Sequence, residues 1–170
     1  LINLGFVNEH CRTAEQVKAA LCHEFLHVLL RHTTLKGPLT PARHLALDAV
    51  INAIIHRTLG GAYSSLMAEF YRDAQGWMQL LRPHREDERW QLWDTRNHHD
   101  RRKPWWHAWH GLYEGKVLAD DIEDLARSCN AKVPDTLSLQ DLLGNHADDE
   151  PLPAAIEDAL TSETAGRIET

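Results

Sequence analysis

Apolar residues recur at helical spacing in the N-terminal part of the chain and predict a long first helix. It is expected to run from about Ala14 to Arg31, and Thr13 with Gln16 three residues later resembles a capping box. One face of this helix carries the apolar residues Val17, Leu21, Phe25 and Val28. Leucines extend the apolar surface round most of the remaining circumference, so we expect this helix to be mostly buried.

A second helix is predicted after a short turn that contains Gly37 and Pro38. Pro41 suits the first helical position, and Thr40 before it can act as the N-cap. We expect the helix to end at about Leu59, ahead of two glycines. Its apolar face consists of Leu47, Val50, Ile51, Ile54 and Ile55. Two helices joined by so short a loop can pack as an antiparallel pair.

The remaining pattern predicts two more helices and almost no sheet. A third helix is expected from Ser64 to Leu81, and a fourth from Val117 to Ser128. Only the stretch from Ile2 to Val7 has the pattern of a strand. The predicted fold class is therefore mainly α, with α+β built on a small N-terminal sheet as the alternative.

We expect one domain over residues 1–145 and an acidic, partly flexible tail over residues 146–170. A chain of 170 residues has the length of one ordinary domain. Most of the net charge of −7 comes from residues 148–170, which hold seven acidic residues and one basic residue. The rest of the chain is nearly neutral, which argues against nucleic acid as a partner, although residues 98–103 form a local basic patch.

Composition indicates a globular chain rather than a membrane protein. The chain is 43% hydrophobic and 25% charged, and no apolar run reaches the ~20 residues that a spanning helix needs. The start, LINLGFVNEH, has neither a basic leader nor a long apolar stretch, so we expect no signal peptide. Three unclustered cysteines fit a reducing compartment, and a cytoplasmic location is expected.

The candidate chemistry lies in the motif HEFLH at residues 23–27, within the first predicted helix. His23 and His27 would lie roughly 40° apart round the helix axis, so both imidazoles can reach one metal ion. Glu24 lies on the adjoining arc and is the only formally charged residue within residues 21–30. A buried carboxylate is costly unless a cation compensates it. Chance is the competing interpretation, because the chain has 12 histidines.

This arrangement is typical of a zinc-dependent hydrolase. Zinc lowers the pKa of a water ligand toward about 7, and a neighbouring glutamate takes the proton as the water attacks a carbonyl. The same carboxylate can return that proton to the leaving amine. A catalytic zinc usually takes three protein ligands, so a third has to come from another segment.

The second predicted helix supplies our preferred third ligand. Its polar stripe consists of His44, Asp48, Asn52 and His56, which recur every four residues. Asp48 is preferred because it is a lone carboxylate in an otherwise apolar run, and Asn52 is placed to hydrogen-bond a ligand. An ordinary solvent-facing stripe is the competing interpretation. The alternative ligands are His44, Glu69 and His32, although His32 points roughly 160° away unless the helix breaks first.

The wider stretch over residues 14–56 resembles a known family. A His-Glu-x-x-His helix followed by a helix with an acidic ligand is the zincin metallopeptidase pattern. The segment LCHEFLHVLLRHTTLKGPLTPARHLALDAVINAII is similar to the metallopeptidase-type domain of bacterial and phage proteins that often precedes a von Willebrand factor A-like domain. The residues that match the pattern of this family are His23, Glu24, His27, His32, Ala46, Asp48 and Asn52.

The resemblance implies a peptidase that acts on peptide or protein substrates. It implies zinc bound by His23 and His27, Glu24 as the catalytic base and Asp48 as the third ligand. Two features depart from the family pattern. His44 stands where an asparagine is expected, and the Asp-x-Ser-x-Ser run of the A-type domain does not occur, so we expect that partner domain to be missing or removed.

The same residues are compatible with two other functions. The ion could serve only to stabilise a binding or regulatory module, whose acidic tail would contact a partner. A DNA-associated protease of the His-Glu-x-x-His type would use His44 as a ligand and residues 101–103 to contact DNA, but the glycine expected after that histidine is missing.

The aromatic motif PWWHAWH at residues 104–110 is expected to be a local core, with an aromatic substrate groove as the alternative. His107 and His110 have helical spacing for a second metal but lack a carboxylate or cysteine nearby. Cys22 is expected to be a small buried hydrophobe.

Overall fold

The computed structural model describes residues 4–32, 39–84, 104–118 and 121–130. In these ranges most residues are helical and none is in a β-strand, so the mainly α fold class is confirmed. The elements are α1 (Leu4–His10), α2 (Ala14–Leu29), α3 (Pro41–Leu59), α4 (Gly61–Phe70), a 3-10 helix (Gly76–Leu81), α5 (Pro104–Tyr113) and α6 (Ile122–Asn130).

The two longest helices, α2 and α3, begin at the predicted residues because side chains cap them. Thr13 Oγ1 accepts a hydrogen bond from the backbone N–H of Gln16, and Gln16 Oε1 accepts one from the N–H of Arg12. Thr40 Oγ1 accepts from the N–H of Arg43 in the same way at the start of α3. These contacts satisfy N–H groups that have no partner inside a helix, which stabilises each start.

The central element of the fold is α3. It packs against α2, α4, the 3-10 helix, α5 and α6. Within residues 42–55 every residue except Arg43 and Ile54 is buried. The polar residues His44, Asp48 and Asn52 are therefore buried together with the apolar ones, and the interpretation of a solvent-facing stripe is wrong for these three positions.

The prediction that α2 is mostly buried was wrong for its outer face. Phe25, Val28 and Leu29 are 64%, 62% and 61% exposed. The buried residues of this helix are Gln16, Ala19, Ala20, His23 and His27. A helix packed on one side buries one face, and here the small and polar face lies inwards against α3 and α4. Cys22, expected to be buried, is half-buried.

The predicted third helix, from Ser64 to Leu81, is in fact two elements. A turn separates α4 from the 3-10 helix, and Gly76 at the start of the latter has a φ of +57°. This left-handed conformation interrupts a right-handed helix and is readily adopted by glycine. The predicted fourth helix also begins later than expected, at Ile122 instead of Val117.

The predicted N-terminal strand is a helix, α1, in the described residues that it covers. Phe6 and His10 are four residues apart and so share one helical face. Both rings pack against Phe70 of α4, with ring centroids 5.5 and 5.0 Å away. This tertiary contact favours the helix, and the alternative of an α+β fold with a small N-terminal sheet is wrong for residues 4–7.

The aromatic motif of residues 104–110 forms a local core, as predicted. Trp105, Trp106 and Trp109 of α5 are buried, and the last two stack with ring centroids 5.3 Å apart. Trp109 Nε1 donates a hydrogen bond to the carbonyl of Arg82. His110 Nε2 lies 3.0 Å from Glu114 Oε1 at the surface, so the expectation that no carboxylate is near was wrong for His110. Among the described residues, however, neither His107 nor His110 belongs to a group of metal donors.

Several predictions fall on residues 33–38, 85–103 and 131–170, which lie outside the described ranges. They include the basic patch at residues 98–103 and the acidic tail. Among the helices that the structure describes, none combines the length and the apolar character needed to span a membrane.

Gly60 links α3 to α4 in a conformation that strongly favours glycine, with φ +88° and ψ −179°. Gly60→Ala is expected to lower the free energy of unfolding by about 1 to 3 kcal/mol, measured by urea denaturation. Gly61→Ala is the matched control, because its φ is not in the positive range and an added Cβ meets open space. The control should be neutral or slightly stabilising, and equal losses in both variants would contradict the expectation.

Candidate metal centre

Three side chains that the sequence singles out come together where α2 packs on α3. His23 and His27 project from α2, and Asp48 projects from the middle of α3. Their donor atoms all lie within 4.8 Å of one another. His23 and Asp48 are fully buried, and His27 is 3% exposed. The three form a compact group inside the protein, which we call the donor group.

The distances within the donor group match the size of a small cation. The Nε2 atoms of His23 and His27 are 3.1 Å apart, and Asp48 Oδ1 lies 3.2 Å from Nε2 of His27 and 3.8 Å from Nε2 of His23. Bonds of 2.0–2.1 Å in a tetrahedron place neighbouring ligand atoms about 3.3 Å apart. The observed separations lie close to this value, so these residues fit zinc.

Asn52 fixes the orientation and the proton of His23. Asn52 Nδ2 donates to the carbonyl of Leu81 at 2.9 Å, so its Oδ1 must be the acceptor toward Nδ1 of His23, also at 2.9 Å. The ring proton of His23 therefore lies on Nδ1. In the neutral ring Nε2 then carries a lone pair on the side of His27, 3.1 Å from its Nε2, which is the form in which an imidazole binds a metal.

None of the alternative third ligands is a member of the donor group. His44 is buried one turn before Asp48, with its Nε2 3.5 Å from Asp48 Oδ1, but it is not part of the donor group. Glu69 is exposed near the end of α4, where it lines a separate cavity with Glu9 and His10. Of the candidates weighed from the sequence, Asp48 is the one that joins both histidines of the motif.

His32, an alternative ligand on the condition that the helix breaks before it, lies next to His27. A continued helix would direct it away from His27, but α2 ends at Leu29. The chain then turns back, so that Nδ1 of His32 lies 3.2 Å from Nδ1 of His27. His32 thus contacts the ring nitrogen of His27 that faces away from the donor group. The signal that could have identified this contact was an early end of the helix.

Glu24 follows His23 directly on α2 and is half-buried. It projects roughly 100° round the helix axis from His23. Among the described residues the donor group does not include it. A carboxylate beside a metal site that is not itself a ligand can act as a base, which is the role that the motif predicts for it.

Asp48 places a carboxyl group in the protein interior among three histidines. Its carboxylate is fully buried, and Nε2 atoms of three histidines lie between 3.2 and 3.8 Å from Oδ1. A buried carboxylate requires compensation by a proton on a partner or by a cation. A divalent cation compensates it while leaving the imidazoles neutral, which is the form in which they bind metals.

Asn52 is expected to be important for stability, because it joins two segments through buried hydrogen bonds. Asn52→Leu leaves the Nδ1–H of His23 and the carbonyl of Leu81 without this partner, at a cost of about 1 to 3 kcal/mol each. Chemical denaturation in the presence of a chelator should therefore show a loss of about 2 to 6 kcal/mol. Asn52→Asp keeps the acceptor for His23 and should retain part of the stability, and a neutral Asn52→Leu would contradict the assigned contacts.

The site is built entirely from residues of α2 and α3. The donor group comes from two helices, Glu24 follows His23 directly on α2, and Asn52 lies one turn after Asp48 on α3. The resemblance to zincin metallopeptidases stays a prediction, because comparison with protein-family models, curated proteins and solved structures finds no match for this chain.

Proposed function

We propose that this chain is a zinc-dependent peptidase of zincin-like arrangement, in which His23, His27 and Asp48 hold the ion and Glu24 is the general base. The observation that carries the proposal is the convergence of the three donor atoms at separations of 3.1, 3.2 and 3.8 Å. These separations are those expected between ligands of one small cation.

Each residue has a defined part in the proposed reaction. Zinc, when bound, would lower the pKa of a water molecule and polarise the carbonyl of a peptide bond. His23 and His27 present lone pairs at Nε2, and Asp48 supplies the negative charge that balances part of the charge of the cation. Glu24 takes a proton from the attacking water at its carboxylate and delivers it to the nitrogen of the departing amine.

The number of donors supports a catalytic site over a purely structural one. A structural zinc usually has four protein ligands, whereas a catalytic zinc has three and leaves one position for water or substrate. The donor group contains three residues among those that the structure describes. The neighbouring glutamate outside the group is a further feature that a structural site does not need.

A metal-stabilised binding or regulatory module is the second candidate, and the burial of the site favours it. His23 and Asp48 are fully buried, and His27 is nearly so. A substrate has to reach the ion, whereas an ion that only stabilises the fold is best enclosed. In such a module the ion links α2 to α3, and Glu24 has no chemical role.

The third function considered, a DNA-associated protease, is supported less well. It requires His44 as a ligand, whereas the donor group contains Asp48. Its proposed DNA contacts, residues 101–103, lie outside the described residues. The proposed substrates are peptide or protein chains. A domain on another chain or segment is the proposed partner.

Elemental analysis of the purified protein, combined with cleavage of casein, tests the proposal. We expect about one zinc ion per chain. We also expect casein cleavage that stops with a chelator and returns when zinc is added. A His23→Leu variant purified in the same way is the control for contaminating proteases and should be inactive. Zinc without cleavage would favour the metal-stabilised module, and failure to bind zinc would contradict both functions.

A further inference from the structure

His32 lies behind His27, on the side opposite the donor group. Its Nδ1 is 3.2 Å from Nδ1 of His27, and the two rings meet edge to face with centroids 5.2 Å apart. The other nitrogen of His27, Nε2, faces His23 and Asp48. The two nitrogens of His27 therefore have separate neighbours, one inside the donor group and one outside it.

The backbone after α2 adopts an unusual conformation that brings His32 to this position. Arg31 has a φ of +58°, in the left-handed region that residues other than glycine seldom occupy. If α2 continued, His32 would point roughly 160° away from the arc of His23 and His27. A conformation that costs free energy persists where surrounding contacts hold it, and such residues cluster at functional sites.

The proton on the His27 ring follows from these contacts. To bind a cation, Nε2 of His27 must present its lone pair, so the ring proton lies on Nδ1. The Nδ1–H then donates to Nδ1 of His32, whose own proton lies on Nε2. Metal-binding histidines almost always donate their second ring N–H to a neighbouring acceptor, which fixes the ring and its tautomer. Asn52 provides this acceptor for His23, and His32 is placed to provide it for His27.

We propose that His32 is a positioning residue for a divalent-cation site. It accepts the Nδ1–H of His27, holds that ring with Nε2 toward the ion, and is not itself a ligand. This inference rests on the proposed metal site of His23, His27 and Asp48. It adds a supporting residue that follows the end of α2 and that a continued helix would have directed away from the site.

Zinc affinity in the full chain, measured by competition with a chromophoric chelator, tests the role of His32. His32→Leu removes the acceptor and should weaken zinc binding by about 10- to 100-fold. His32→Asn returns an acceptor oxygen close to the position of Nδ1 and should restore most of the affinity. His107→Leu is the matched control, because His107 is an exposed histidine on α5. The zinc affinity of this variant should equal that of the wild type.

X-ray absorption at the zinc edge separates a positioning residue from a ligand. We expect two imidazole ligands in the wild type and the same number in His32→Leu. Three imidazoles in the wild type that fall to two in the variant would make His32 a ligand and overturn the proposal. Unchanged affinity in His32→Leu would overturn it as well.

A measurement without any substitution covers the case in which the variants do not fold. Nitrogen-15 NMR of the imidazole rings in the zinc-loaded wild type should show a protonated Nδ1 on His27 and an unprotonated Nδ1 on His32. The reverse pattern would overturn the proposal.

Different results would overturn the role of His32 and the proposed peptidase function. Wild-type protein that binds no zinc would overturn the metal site and the role of His32 together. Zinc binding without peptide cleavage would overturn only the peptidase. In that case the affinity ranking of the His32 variants would still decide whether His32 positions His27.

Discussion

Glu24→Gln is expected to keep the zinc content of the wild type and to lose about two to four orders of magnitude in peptide hydrolysis. Glutamine has nearly the shape of glutamate, but its amide cannot take a proton from the attacking water. Because Glu24 is not a member of the donor group, the substitution removes no ligand. Initial rates of casein cleavage, divided by the zinc content from elemental analysis, measure the effect.

Glu15→Gln is the matched control for this experiment. Glu15 lies in the first turn of α2, so the same charge is removed from the same helix at a distance from the donor group. Its hydrolysis rate should stay close to that of the wild type. An unchanged rate in Glu24→Gln would exclude Glu24 as the base, and a joint loss of zinc and activity would instead make Glu24 a ligand.

Asp48→Asn is expected to be less stable than the wild type in the presence of zinc and at least as stable as the wild type in its absence. At a zinc concentration of about 100 times Kd the wild type should gain about 2.7 kcal/mol, or roughly 5 to 10 °C in Tm. The variant should gain much less, because a neutral amide is a poorer ligand for the cation. In a chelator the variant should be at least as stable as the wild type, since it no longer buries a carboxylate.

Thermal unfolding followed by circular dichroism, with added zinc and with a chelator, measures both halves of this expectation. Asp73→Asn is the control, because Asp73 is exposed and the same chemical change there should leave the response to zinc intact. Equal stabilisation of the wild type and Asp48→Asn by zinc would show that Asp48 is not a ligand. His44 would then be the next residue to test.

The two helices that carry the donor group were predictable because their signals are local. Thr13 and Thr40 each precede a helix and accept hydrogen bonds from the N–H three residues on, a contact that needs no other part of the chain. The spacing of four residues between His23 and His27 places both rings on one face of any helix.

The choice of Asp48 was also accessible from the sequence, for an energetic reason. A single carboxylate in an apolar run indicates a buried charge that needs compensation, and Asp48 is fully buried. Asn52, one turn further on, was expected beside a ligand, and it contacts His23. The helical repeat places Asp48 and Asn52 on one face of α3, whereas the contact of Asn52 with His23 depends on how α2 packs on α3.

The errors arose where packing between distant segments decides the outcome. Phe25 and Val28 look like core residues in an apolar helix, but α2 turns its histidine face inwards and leaves them exposed. The N-terminal segment looks like a strand, but it is helical from Leu4 and packs Phe6 and His10 against Phe70. Periodicity indicates which residues share a face and not which face another helix covers.

By itself the sequence determined that the chain is mainly helical, where α2 and α3 begin, and that His23 and His27 share one face. These properties follow from backbone caps and from the helical repeat, which act within a few residues of the chain. Only the tertiary structure decided that Asp48 meets both histidines and that His32 returns to His27, because these contacts depend on how α2 crosses α3 and where it ends.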